Sequence, residues 1–168
     1  MVKQSSLIIL CLFFGFLAKA QHPYTEFQLK DSVYQLFILP IKFKSPTKEE
    51  FAIDLIMTDT VTSNSKIPVK FTVLSSTNLE PVQSVSYESS IRFKINELDE
   101  MFTEKTKKGY EIRYSGTIPV KSIYQLYQWN TKIILTTNKK KVHFEMTKKS
   151  KKKLEKIHTI ISEYYEIK

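Results

Sequence analysis

Five lysines fill a six-residue stretch near the C-terminal end: Lys148, Lys149, Lys151, Lys152 and Lys153, interrupted only by Ser150. Ammonium groups at that density attract anions through their summed field, and the attraction weakens as salt rises. A helix starting here would add free backbone N–H groups, which also face anions. These lysines are therefore the candidate anion- or partner-binding residues. Lysine lacks arginine's planar fork, so the predicted chemistry is electrostatic docking without selection of one phosphate or carboxylate. The competing reading is a solvated face that only aids solubility.

Tyr124, Tyr127 and Trp129 form the second candidate, close behind Tyr110 and Tyr114. Aromatics gathered in this way suit a platform for a sugar or a peptide. Ordinary cross-strand packing uses the same residues.

Catalytic patterns are missing. Beyond residue 20 the only glycines are Gly109 and Gly116, so neither a phosphate-cradling loop nor a Gly-x-Ser-x-Gly elbow can be written. The histidines are His22, His143 and His158. His143 and Glu145 would share a strand face that His158 approaches from a helix, but this spacing is not diagnostic of a metal site. No catalytic, cofactor-binding or metal-ligating residue is assigned, and no cofactor is expected. A non-enzymatic binding or accessory protein is the first expectation. The alternatives are a small hydrolase using scattered carboxylates or His143/His158, and a purely structural envelope component.

Residues 1–20 have the three parts of a cleavable signal peptide. Lys3 gives a positive start, Leu7 to Leu17 is an uncharged apolar run, and Ala18-Lys19-Ala20 ends it with small residues. Cleavage is expected between Ala20 and Gln21. The run is short of the roughly 20 residues a membrane span needs, so no transmembrane span is expected in the mature chain. Cys11, the single cysteine, would leave with it, so the mature chain could form no disulfide. No Asn-x-Ser/Thr acceptor occurs, and Asp31-Ser32-Val33 and Asp59-Thr60-Val61 match a bacterial Asp-Ser/Thr-apolar pattern. The expectation is a bacterial protein exported to the periplasm or secreted, with residues 21–168 as one domain.

Charge is unevenly spread. Residues 21–131 carry 13 cationic and 13 acidic side chains, whereas residues 132–168 carry 11 lysines against Glu145, Glu155, Glu163 and Glu166. An anionic envelope surface, a glycan or an acidic protein are the partners this implies. Nucleic acid is not expected, because no recognition motif with interleaved aromatics accompanies the lysines.

The elements that would position these groups are mostly strands. Alternation places Phe37, Leu39, Ile41 and Phe43 on one face, with Leu36 and Ile38 on the other and Pro40 marking an edge or bulge. Further strands carry Phe51/Ile53/Leu55/Met57, Ile67/Val69/Phe71/Val73, and a run from Val85 through Tyr87 and Phe93 to Ile95. Asn96 followed by Glu97, Asp99 and Glu100, with Leu98, Met101 and Phe102 at helical spacing, predicts a short helix ending at Gly109. Tyr110, Ile112 and Tyr114 return to the strand period, and Ser122 to Trp129 is ambiguous. Ile133–Thr137 and Val142–Thr147 flank a hairpin turn, with Val142, Phe144 and Met146 inward. Leu154, Ile157, Ile161 and Tyr164 form the stripe of an amphipathic helix over about residues 150–167, with Ser150 as its cap. The predicted fold is mainly β or α+β: an antiparallel sandwich or meander of about six to eight strands, a short mid-chain helix and a C-terminal amphipathic helix.

Overall fold

The computed structural model describes residues 23–28, 34–58, 65–90 and 92–164. The proposed signal segment, its cleavage point at Ala20–Gln21, His22, both Asp-Ser/Thr-apolar tripeptides and Ile167 lie outside the described residues.

Antiparallel β-structure dominates, with a few short helices. The described residues contain ten strands, more than the alternation predicts. They are β1 (Tyr24–Gln28), β2 (Tyr34–Lys44), β3 (Glu50–Thr58), β4 (Lys66–Ser75), β5 (Val82–Glu88), β6 (Arg92–Ile95), β7 (Asp99–Thr106), β8 (Gly109–Pro119), β9 (Lys132–Thr137) and β10 (Lys141–Met146). They form one sheet in the order β6-β5-β9-β10-β2-β3-β4-β8-β7, with β1 added along β2. The sheet curls until the end of β6 rests on β8 near the other edge. There a Cβ on Gly116 would lie 3.0 Å from Ile95 and 3.3 Å from Leu98, so the glycine permits the close approach.

Apart from the exposed edge strand β7, each long strand turns one side inward, and the buried apolar residues make a single cluster. Phe51, Ile53, Leu55 and Met57 are fully buried on β3, and Ile67, Val69, Phe71 and Val73 on β4. Rings from neighbouring strands meet in a row: Phe51 stacks on Phe71 at 5.1 Å between centroids, and Phe71 on Tyr114 at 5.4 Å. On the other face of β3, Asp54 is also buried, because Arg113 reaches across β4 to pair with it and donates to Thr72.

Pro40 marks a bulge, as expected, although β2 lies inside the sheet and not at its edge. The pairing of β2 with β3 shifts register between Ile38 and Ile41. The bulge moves the strand out of phase, so Leu36 and Ile38 are buried before it and Ile41 and Phe43 after it. Phe37 and Leu39 are only half-buried.

In the middle of the chain, two expected elements are corrected. Residues 99–106 form strand β7, not a helix. A helix of about three turns has little stability of its own. The hairpin closed by Gly109 instead pairs Asp99–Thr106 along β8, leaving Met101 and Phe102 exposed. The mid-chain helix falls later, as a 3-10 turn Val120–Ser122 running into α1 (Ile123–Leu126). The apolar run from Val85 to Ile95 is two strands, not one. Ser89 and Ser90 lie in the turn, and β5 folds back on β6 with Tyr87 stacked on Phe93 at 4.6 Å.

The C-terminal helix is broken in two: α2 (Lys148–Lys151) and α3 (Leu154–Tyr164). Thr147, not Ser150, is the cap, its hydroxyl accepting from the Ser150 N–H. Leu154, Ile157 and Ile161 are buried in the core cluster, with Ile160 beside them. The Tyr164 side chain lies outside the described set.

Candidate functional site

The five lysines occupy the turn that leads from β10 into the last helix. Antiparallel pairing of β10 with β2 reaches Met146 opposite Phe43, and the next backbone bond, Thr147 N–H to the Lys42 carbonyl at 3.0 Å, extends it. The chain then turns into α2. Ser150 points back, and its hydroxyl accepts from the Lys42 N–H at 2.9 Å. Thr147 donates to the same hydroxyl at 3.1 Å. Lys42 is thereby held through both of its backbone groups, and the lysine turn is fastened to the sheet. Ser150 itself is buried, while Lys148, Lys149 and Lys152 are exposed and Lys151 and Lys153 half-exposed.

Charge compensation separates this cluster from the other basic run. In the β9–β10 turn, Lys139 pairs with Glu80, and Lys140 approaches Glu49 at 3.5 Å. Lys132 pairs with Glu145 at 3.2 Å. Among the described residues, none of Lys148, Lys149, Lys151, Lys152 and Lys153 makes an ion pair.

The aromatic candidates are split. Tyr127 is fully buried, and burial drives its hydroxyl pKa up, with Asp54 adding to the effect. Its ring is core and offers no platform. Tyr124 packs half-buried against the core and near His158, 6.5 Å between ring centroids; burial raises its pKa as well. Trp129 alone projects, 63% exposed. Its loop is tied at both sides. Thr131 donates its hydroxyl to the Gln125 carbonyl at 2.8 Å, and His158 donates Nε2–H to the Tyr127 carbonyl at 2.6 Å. Lys151 lies over the indole, its Nζ 5.3 Å from the ring centroid, a cation–π contact.

Thus the structure joins one member of each sequence-derived group, Trp129 and Lys151, on one surface. The positioning residues Lys42 and Thr147 carry no signal in the sequence. Lys42 and Ser150 are 108 residues apart, and no local pattern reports their bond.

His143 and Glu145 do share an exposed face of β10, but Glu145 is engaged by Lys132 and His158 by the Tyr127 carbonyl. Among the described residues, no group of three or more His, Cys, Asp or Glu side chains is placed to hold a metal ion. No described helix is long and apolar enough to cross a membrane. Comparison with protein-family models, curated proteins and solved structures finds no match to this chain.

Proposed function

We propose that this chain is an exported, non-enzymatic binding or accessory protein. It docks on an anionic envelope surface through Lys148, Lys149, Lys151, Lys152 and Lys153 together with Trp129. The observation that carries this reading is the pairing of an exposed indole with a fastened lysine turn that makes no ion pair among the described residues. Indole rings favour the boundary between water and an apolar layer, and lysines favour an anionic leaflet. A fastened turn also presents its charges with less ordering cost than a frayed tail.

Export, to the periplasm or outside the cell, remains part of the proposal and rests on residues 1–20. The N-terminus of the native protein tests it: Gln21 is the expected first residue, and an intact Met1 contradicts it.

Co-sedimentation with vesicles tests the surface. Binding is expected to vesicles rich in anionic lipid and not to neutral ones. Replacing all five lysines by Gln should weaken it by about a hundredfold or more. Trp129→Ala should weaken it at every salt concentration, because the indole's contribution is not electrostatic. Equal binding of the five-lysine variant removes the lysines from the account. Capture by acidic protein or glycan with no vesicle binding would move the partner away from lipid.

A further inference from the structure

A half-open groove of about 640 Å³ lies between the β2–β3 turn, the end of β4 and the β7–β8 turn, within the range of sites for small ligands. None of its lining residues belongs to the lysine turn or the Trp129 loop. Leu74, 37% exposed, and Tyr110 give it an apolar wall, and Lys48, Lys107 and Lys108 stand around it. Of its two acids, Glu50 is already bonded to Lys44 at 2.9 Å. Among the described residues, none of the three groove lysines makes an ion pair. Glu111 is the other acid. The Lys44 bond holds the Glu50 carboxyl below its ordinary value, and Lys108 stands near enough to help. The groove thus combines an apolar wall with three lysines against two acids, a positive balance.

Its backbone is built with two unusual residues. Lys48 has φ of 71° and is the only non-glycine residue with positive φ among those described. Glycine or asparagine would adopt this conformation at lower cost, and backbone strain of this kind gathers at binding sites. Gly109 has φ of 129°, and a Cβ there would fall 2.2 Å from the Ser75 carbonyl oxygen. That glycine lets the β7–β8 turn press on the end of β4 and shape the groove wall. Behind Lys48, the buried Glu49 carboxylate accepts from the hydroxyls of Ser45 and Thr47, and the Lys48 N–H bonds the Ser45 carbonyl at 3.2 Å. The turn is locked with its lysine at the groove.

We infer that this groove binds a small amphipathic anion, its carboxylate-type head held by Lys48, Lys107 and Lys108 and its apolar body laid on Leu74 and Tyr110. The site is independent of the lysine turn, and either assignment can fail without the other.

The test is titration of the whole protein with sodium decanoate, decanol and inorganic phosphate, followed by amide NMR shifts. Decanoate is expected to shift the Leu74, Lys108 and Tyr110 amides saturably, and more tightly than either control. Combined Lys107→Gln and Lys108→Gln should weaken decanoate at least about tenfold. Lys48→Gly should weaken it too while keeping the melting temperature at or above that of the parent, separating binding from folding. Decanol binding as tightly, phosphate giving the same shifts and affinity, no saturable shift, or variants that bind like the parent would each overturn the inference.

Discussion

Glu49 shows how one buried carboxylate organises a turn. Burial by itself would raise its pKa. The Ser45 and Thr47 hydroxyls, its own backbone N–H and the charge of Lys140 more than offset this, holding it below its ordinary 4.5. A depressed folded pKa means the ionised form favours the fold. That stability is present above the unfolded pKa and is lost as pH falls through the folded value. Glu49→Gln should therefore cost about 1–3 kcal/mol at pH 7, since it strips charge from a buried network. The gap to the parent should narrow in denaturant melts taken at progressively more acid pH. A gap that stays constant down to pH 2 contradicts the assignment. No sequence pattern marks this cluster. Ser45, Pro46 and Thr47 read as a turn, but the inward aim of Glu49 depends on the β9–β10 turn packing beside it.

At the scale of elements, the clamp between β2 and α2 makes a sharp prediction. Ser150→Ala removes the acceptor of the Lys42 N–H and should destabilise the fold by about 1–3 kcal/mol. It should also speed hydrogen exchange at the Lys42 amide more than at amides in β4. Unchanged exchange at Lys42 would mean the lysine turn is not fastened there. Strands with clean alternation, β3, β4 and the β9–β10 hairpin, were legible because one face of each is buried and periodicity reports burial directly. The segment 96–108 was not, because its helix signals compete with a hairpin ladder to β8 that no apolar alternation on β7 announces. Leu98, Met101 and Phe102 have helical spacing, yet the last two remain exposed on the strand they form. The same limit applies to the aromatic stretch, where composition could not separate the buried Tyr127 from the exposed Trp129.

The described residues form a curled antiparallel sheet with one apolar cluster, and α3 adds its buried stripe to that cluster. The chain's positive charge is concentrated in residues 132–168, as the sequence makes plain. What charge counting alone missed is that the two basic runs differ. Acids partly answer the β9–β10 turn, while the lysine turn beside Trp129 has no such answer among the described residues. Exposed pairs of the first kind contribute little to stability, but they do remove charge from the field a partner meets.

Docking through the lysine turn is decided by fractionation of native cells, with the envelope washed first at low salt and then at high salt. Screening within about 10 Å at 0.1 M salt weakens exposed charge contacts, so the protein should stay with the envelope in the first wash and leave in the second. A protein freely soluble in both washes, or one held equally in both, would contradict electrostatic docking through the lysine turn.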